Sequence, residues 1–133
     1  MKPYLVDTNI LIYYFNGSLP LEIKEKVELI FETSFNISLI TKIEFLGWKK
    51  HTNESFKEAK RFLNLAHVIR LTNKIANCAI NLKRITNIKT PDALIAATAI
   101  QLEAVLVTRN SDDFKNIAEV NILNPFQESI DGK

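Results

Sequence analysis

The chain has 133 residues, 47% of them hydrophobic and 24% charged, which predicts one globular domain that buries roughly two-thirds of its unfolded surface. Its net charge of +2 neither requires nor excludes a nucleic-acid partner. No apolar run approaches the roughly 20 residues of a membrane span, and the single cysteine, Cys78, excludes an internal disulfide. Because the first strand has no basic and apolar leader before it, we expect a cytoplasmic protein with no membrane association.

Five short apolar runs alternate with helical patterns along the chain. The predicted strands are residues 4–6, 36–40, 67–71, 104–108 and 120–123. Between them apolar residues recur at helical spacing, and the stretch from Ala93 to Leu102 is apolar nearly all round, as in a buried helix. This alternation predicts parallel strands joined by right-handed crossovers, hence a three-layer α/β sandwich. We expect one domain over residues 1–126 and a frayed tail over residues 127–133.

Four acidic positions lie where a strand pattern gives way to a helical one. Asp7 ends the first run, Glu44 follows the second, Asp92 opens the apolar helix, and Asp112 and Asp113 follow the fourth run. In an open parallel sheet such junctions lie together along the carboxyl ends of the strands, where ligands of these folds bind. Carboxylates at close range repel one another, and a hard cation with oxygen ligands relieves the repulsion. The pattern therefore predicts a divalent-metal site in which neighbouring charges raise the pKa of at least one acid.

The first two of these acids also have a structural explanation. Asp7 can accept a hydrogen bond from the free amides of the helix that follows it. Thr41 and Glu44 have the spacing of a capping box, in which each side chain bonds a backbone amide of the other residue. Taken singly, each residue is better explained as a cap than as a ligand.

The later acids can also be explained as helix caps. With Thr90 as N-cap and Pro91 at the first helical position, Asp92 lies in the first turn, where an acid suits the helix dipole. Residues 110–113 can cap the last helix. Caps can equally be Ser, Thr or Asn, so the recurrence of acids at one end of the sheet favours a shared site over independent caps.

Basic residues are concentrated in the middle of the chain, where no Asp or Glu occurs between Lys60 and Lys89. Such a stretch can form an electrostatic footprint for phosphate backbones, or it can solvate two amphipathic helices. The sequence does not favour either interpretation. The seven cations are Lys60, Arg61, Arg70, Lys74, Lys83, Arg84 and Lys89.

Four segments that contain the acids resemble the PIN-domain family, most closely its VapC type, the toxin half of bacterial and archaeal toxin–antitoxin pairs. The resemblance extends from about Tyr4 to Leu123 and depends on the order and spacing of the motifs, because no single motif is highly specific. The segments are Leu5-Val6-Asp7-Thr8-Asn9-Ile10-Leu11, Ser38-Leu39-Ile40-Thr41-Lys42-Ile43-Glu44-Phe45, Thr90-Pro91-Asp92-Ala93-Leu94-Ile95-Ala96-Ala97 and Leu106-Val107-Thr108-Arg109-Asn110-Ser111-Asp112-Asp113-Phe114.

The resemblance implies a five-stranded parallel α/β/α sandwich and a Mg²⁺- or Mn²⁺-dependent endoribonuclease that hydrolyses RNA with a metal-activated water. The implied catalytic and metal-binding acids are Asp7, Glu44, Asp92 and Asp113. Asp113 is the first choice for the fourth position, which is looser in the family, and Asn110 or Asp112 are alternatives. Residues implied to support the acids are Asn9, Thr108, Asn110 and Asp112. Neither His51 nor His67 is expected to act as a general base.

The resemblance also implies partners: an RNA substrate, a cognate antitoxin that covers an apolar surface and blocks the pocket, and a second copy of the chain in a homodimer. Candidates for protein contacts are residues 13–15 and 45–48, about half of which we expect in the core instead. Candidates for gripping the RNA backbone are Lys49, Lys50, Arg84 and Lys89.

Other folds with an acid after the first strand fit the sequence poorly. A haloacid-dehalogenase-type phosphotransferase needs a second acid where Asn9 stands, and a receiver domain needs its Asp where Thr72 and Asn73 follow the third strand. Nucleotide-binding folds need a glycine-rich loop, which none of the three glycines forms. Two alternatives remain: a PIN-like module that binds RNA or protein without catalysis, and a free-standing nuclease that is not a toxin.

Overall fold

The computed structural model describes residues 2–127, so most of the tail expected to fray lies outside the described residues. Five strands alternate with helices, and each strand has three residues, fewer than predicted for all but the first. The strands are β1 (Tyr4–Val6), β2 (Asn36–Ser38), β3 (His67–Ile69), β4 (Val105–Val107) and β5 (Asn121–Leu123). The helices are α1 (Thr8–Phe15), α2 (Leu21–Thr33), α3 (Leu39–Leu46), α4 (Asn53–Leu63), α5 (Asn73–Ile85), α6 (Thr90–Leu102) and a 3-10 helix (Ser111–Phe114).

The sheet is entirely parallel, in the order β3-β2-β1-β4-β5, which confirms the predicted fold class. The chain builds outward from β1 to β3 on one side and then crosses back to place β4 on the other side of β1. The order of strands therefore reverses between β1 and β4. In open α/β sheets a crevice opens at the carboxyl ends of the strands at such a reversal, and ligands bind there.

Side chains of the central strands alternate between two hydrophobic cores, one on each face of the sheet. Leu5 and Leu106 pack against α5, α6 and the segment near Ile117. Val6 and Val107 pack on the opposite face, against helices α1, α2, α3 and α4. The three layers follow directly from this alternation. As predicted, α6 is buried through its middle, over most of residues 93–99. No helix within residues 2–127 has the length and apolar character needed to cross a membrane.

The predicted capping box at Thr41 and Glu44 is wrong. Strand β2 ends two residues earlier than expected because Ser38 is the N-cap of α3 and accepts a hydrogen bond from the Ile40 amide at 3.1 Å. Thr41 and Glu44 therefore lie inside α3, where their side chains do not cap the helix and are available for other contacts.

The start of α6 also differs from the prediction by one residue. Lys89 is the N-cap and makes no side-chain capping bond, so Thr90 is the first helical residue and Pro91 the second. Asp92 still lies in the first turn, but α5 precedes this helix and no strand does, so Asp92 is not at a strand–helix junction. The last helix is one 3-10 turn, and the Asn110 side chain makes no capping bond to it.

Candidate functional site

The register of β1 and β4 places Asp7 beside Thr108. Val6 pairs with Val107, and the Asp7 amide donates to the Val107 carbonyl at 2.9 Å, so the residues that follow the two strands leave the sheet side by side. The Thr108 hydroxyl then donates to Asp7 Oδ2 at 2.8 Å. Because this contact lies where the strand order reverses, Asp7 is at the crevice that parallel α/β folds use for ligands.

Both carboxylate oxygens of Asp7 are held by hydrogen bonds. Oδ1 accepts from the Thr8 amide at 2.7 Å, so the predicted cap of α1 is present. Oδ2 accepts from Thr108 and, at 3.2 Å, from Asn9 Nδ2, which also lies 3.3 Å from the Thr108 hydroxyl. The Asn110 amide donates to the same hydroxyl at 3.0 Å. Oδ1 carries one hydrogen bond and keeps a free lone pair, so Asp7 is oriented and can still bind a cation.

Burial is the main reason that the pKa of Asp7 is raised from its usual 3.8 to about 6. The side chain is only 5% exposed, and removal from water disfavours the charged form. Hydrogen bonds from Thr108 and Thr8 lower the pKa, and the charges of Asp92 and Glu44 raise it. The sequence predicted a raised pKa from mutual repulsion. The direction is confirmed, but desolvation outweighs repulsion as its cause.

Glu44 reaches the site through hydroxyl groups on α1 and α3. The Thr8 hydroxyl donates to Glu44 Oε1 at 2.7 Å, and the hydroxyl of the fully buried Thr41 lies 3.1 Å from that of Thr8. The glutamate is half-buried and close enough for its charge to raise the pKa of both Asp7 and Asp92. Its other oxygen, Oε2, has no hydrogen-bond partner within residues 2–127 and can accept one from a bound water.

Asp92 and Asp113 line one pocket beside this network. Burial of Asp92 raises its pKa, the charges of Asp113 and Glu44 raise it further, and Lys89 lowers it. No hydrogen bond to the Asp92 or Asp113 carboxylate is formed by any residue from 2 to 127. The pocket has a volume of about 250 Å³ and is lined by Thr86, Asn87, Ile88, Lys89, Asp92, Asp113, Asn116 and Ile117.

The acid set fits a hard divalent cation in its chemistry. Among residues 2–127, however, no three His, Cys, Asp or Glu side chains are already grouped closely enough to hold a metal ion. Mg²⁺ keeps several waters and takes only one or two carboxylates directly, so it does not require such a group. Asp7 and Asp92 would hold the ion directly or through one water, with Glu44 and Asp113 at the outer side.

The remaining predicted site residues are distributed unevenly around the acids. Asn9 and Thr108 contact Asp7, whereas Asn110 contacts only Thr108, through its backbone amide. Asp112 is exposed and makes no contact with another acid among the described residues. Of the four cations proposed to grip RNA, Lys89 lines the pocket, whereas Lys49, Lys50 and Arg84 are exposed and belong to none of the described pockets.

The histidines and the predicted contact segments lie outside this network. His51 is enclosed by aromatic rings, with Nε2 2.9 Å from the Phe45 carbonyl, and His67 is exposed on the edge strand β3. Of the predicted contact residues, Phe45 is fully buried, whereas Tyr13, Tyr14, Phe15, Leu46 and Trp48 are partly buried and Gly47 is exposed.

Sequence reasoning missed the role of Thr8. Its hydroxyl links the two acids by bonding Glu44 while its amide bonds Asp7. A hydroxyl residue directly after Asp7 was the available signal, but Thr8 could be paired with Glu44 only once α1 and α3 were known to pack together.

The sequence model of the PIN domain matches residues 4–120, nearly the whole chain. The chain therefore belongs to the PIN-domain family. A comparison with curated protein sequences finds no match.

Solved structures with the same fold include several toxin–antitoxin complexes. A chain of a toxin–antitoxin complex from Klebsiella pneumoniae is 31% identical, with a TM-score of 0.74 over 92% of this chain and 97% of that one. A chain of VapBC2 from Rickettsia felis, bound to a promoter DNA fragment, is 27% identical, with a TM-score of 0.78 over 91% of this chain and 97% of that one. A chain of DNA-bound VapBC from Salmonella typhimurium is 23% identical, with a TM-score of 0.79 over 94% of this chain and 99% of that one. At this identity the similarity is evidence for the fold and not for the function. The resemblance to the VapC type is thereby confirmed.

Proposed function

We propose that the protein is a Mg²⁺- or Mn²⁺-dependent endoribonuclease and the toxin of a type II toxin–antitoxin pair. The observation that carries the proposal is the closeness of the acids at the reversal point of a PIN-domain sheet. Asp7 lies near enough to Glu44 and Asp92 for their charges to interact, and Asp92 lines one pocket with Asp113. Independent helix caps would have no need to lie this close to one another, because like charges at close range are unfavourable. Membership of a nuclease family supports the activity, and the resemblance described above supplies RNA as the substrate.

When bound, the divalent ion would lower the pKa of an attacking water and stabilise the charge that develops on the leaving oxygen. Asp7 would help to hold the ion, while Thr108 and Asn9 keep its carboxylate in one orientation. Glu44 is fixed at Oε1 by Thr8, so Oε2 can orient the water and accept its proton. Asp92 and Asp113 would complete the negative pocket, and Lys89 at its rim would contact the phosphate.

An antitoxin partner is supported by similarity to a chain of a solved toxin–antitoxin complex and by an open apolar groove on the chain. The groove has a volume of about 490 Å³ and lies between α1, α2 and α4. It presents aromatic rings together with Glu28 and Glu32, so it fits an apolar segment that carries basic residues. The groove is lined by Tyr14, Glu28, Phe31, Glu32, Phe35, Phe62 and Leu65. A homodimer and a cytoplasmic location, which the free Cys78 suits, belong to the same proposal.

The second candidate is a PIN-like module that binds RNA or protein without catalysis. It is favoured by the capping bond of Asp7 and by the absence, within residues 2–127, of acids already gathered at ligand distance. In that case the acids would serve only to begin helices and to fix the crevice. The two candidates differ in one measurable property, which is metal-dependent cleavage.

Incubation of the purified chain with single-stranded RNA in Mn²⁺, Mg²⁺ or chelator tests the activity. We expect cleavage with either ion, none in chelator, and none from Asp92→Asn. Glu58→Gln is the matched control because it neutralises an exposed acid on α4, away from the site. RNA that stays intact in Mn²⁺ at saturating protein would favour the module without catalysis.

Expression in a bacterial host tests the toxin assignment separately. We expect the wild-type chain to arrest growth, and Asp92→Asn to be produced without arrest at the same protein level. Cleavage in vitro together with normal growth would point instead to a free-standing nuclease.

A further inference from the structure

Arg109 lies beside the acid site, and its guanidinium contacts two neighbouring aromatic rings. Its Cζ is 4.4 Å from the centroid of the Phe126 ring and 5.0 Å from that of Tyr13. The two rings meet edge to face with centroids 6.0 Å apart. Cation–π contacts of this kind favour a position of the guanidinium against the rings. The residue is nevertheless exposed, so the side chain is accessible to a ligand.

The backbone of Arg109 is held on both sides. Its amide donates to Asn9 Oδ1 at 3.2 Å, and its carbonyl accepts from Asn124 Nδ2 at 3.0 Å. Asn124 is only 4% exposed, and its Oδ1 accepts from the Phe126 amide at 2.9 Å. One buried amide side chain thus fixes both the arginine and one of the rings that orient it.

This arrangement is directly connected to Asp7. Asn9 contacts the Asp7 carboxylate through Nδ2 and the Arg109 amide through Oδ1, and Arg109 follows Thr108, which also bonds Asp7. Tyr13 lies one helical turn beyond Asn9 on α1, about 6 Å along the helix axis. Arg109 is therefore joined to the acid cluster through both Asn9 and Thr108.

The guanidinium keeps its hydrogen-bond donors available. It forms no hydrogen bond or ion pair within residues 2–127, although Asp112 and Asp113 follow closely in the chain. Its N–H groups are therefore available to a ligand, and their planar fork matches two oxygens of a phosphate. A purely structural arginine would be expected to use these donors on neighbouring acids or carbonyls.

We propose that Arg109 binds a backbone phosphate of the RNA substrate, next to the phosphate held at the acid site. This inference rests on the proposed function and adds a positioning residue to it. A strand that brings one phosphate to the acids must continue along the protein surface, and Arg109 is an exposed cation next to Thr108, which bonds Asp7. A carboxylate of a protein partner is the other group that would fit the fork, but the neighbouring acids would repel an acidic peptide without a metal between them.

Binding of a single-stranded RNA oligonucleotide, measured in chelator at several salt concentrations, tests the inference without cleavage. We expect Arg109→Gln to weaken binding several-fold and to lower the slope of log K against log salt by about 0.7, the value for one lost phosphate contact on a single strand. Arg109→Lys should restore the slope but only part of the affinity, because lysine keeps the charge and lacks the fork. The matched control is Lys24→Gln, an exposed charge loss on α2, which should leave both quantities unchanged.

Other results would overturn the inference. A lower melting temperature of Arg109→Gln with an unchanged salt slope would assign Arg109 to the packing of Phe126 alone. If Arg109→Gln leaves the salt slope of RNA binding unchanged but weakens binding of the antitoxin, Arg109 binds a carboxylate of the protein partner. Failure of the wild-type chain to cleave RNA in Mn²⁺ would overturn the proposed function, whereas a slope that depends on Arg109 in chelator would still support RNA binding at this position.

Discussion

The two halves of the acid site are built differently. On the side of β1 and β4, Asp7 is buried and both of its oxygens accept hydrogen bonds. On the side of α6 and the 3-10 helix, Asp92 is half-buried and Asp113 exposed, and neither carboxylate has a hydrogen-bond partner among the described residues. The first half is therefore oriented by hydrogen bonds within the protein, whereas the carboxylates of the second half are accessible to solvent.

This difference suggests a division of roles. A carboxylate that is already oriented can hold an ion at a fixed position, at the cost of keeping a charge out of water. Carboxylates on an open pocket can adjust to the ion, to its waters and to the substrate. Asp7 would fix the position of the metal, and the acids of the pocket would respond to the ligand. The variants below test this contrast.

The largest expected effect is loss of cleavage when either half is neutralised. Asp92→Asn and Asp7→Asn should each lower kcat/KM by more than the roughly 10–100-fold that loss of an outer-shell partner costs. In chelator, Asp92→Asn should melt at the same or a higher temperature than the wild type, because repulsion from Asp113 and Glu44 is relieved. Mg²⁺-dependent cleavage retained in both variants would refute the assigned chemistry.

A second prediction concerns pH and the buried half. The pKa of Asp7 is about 6 when folded and near 3.8 when unfolded, so the native state binds more protons between these values and stability falls as pH rises through them. The stabilisation is complete below about pH 4 and lost above about pH 6, a change of at most about 3 kcal/mol.

Asp7→Asn should abolish this contribution. Its unfolding free energy in chelator, measured from pH 4 to pH 7, should therefore increase relative to the wild type as pH rises. Asp92→Asn should change in the same direction and by less, because Asp92 is more exposed. A constant difference between Asp7→Asn and the wild type across that range would show that burial does not hold the Asp7 proton.

A third prediction concerns stabilisation by a metal ion, which should depend on both halves of the acid site. At about one hundred times the dissociation constant, Mn²⁺ should stabilise the fold by about 2.7 kcal/mol and raise the Tm by roughly 5–10 °C. The shift should be absent for Asp7→Asn, reduced for Asp92→Asn and intact for Glu58→Gln. Identical melts of the wild-type chain in Mn²⁺ and in chelator would exclude a metal site.

The smallest expected effect concerns the hydroxyl that orients Asp7. Thr108→Val keeps the shape of the side chain and removes a hydrogen bond that lowers the pKa of Asp7. We expect kcat/KM to fall about tenfold and the acidic limb of its pH profile to move to higher pH. A uniform loss of rate with no movement of that limb would mean that Thr108 acts on folding and not on the carboxylate.

Much of the architecture could be predicted from the sequence, because hydrophobic periodicity is a local property of the chain. The sequence predicted the positions of all five strands and the buried helix around residues 93–102. It also predicted that the strands of the sheet are parallel. The strand ends were predicted less well. Strand β2 ends at Ser38 because its hydroxyl starts a helix, and a run of apolar residues does not show where capping begins.

Tertiary structure alone decided how the acids are connected. The sequence predicted that the acids lie together, but Asp7 and Asp92 are 85 residues apart in the chain, so no local pattern could show which acids interact. Nor could it show the bond from Thr8 to Glu44, the dominance of burial over repulsion at Asp7, or the contact of Arg109 with two rings from distant segments. The residue types that a site requires are written in the sequence, but desolvation and hydrogen-bond geometry exist only once distant segments pack together.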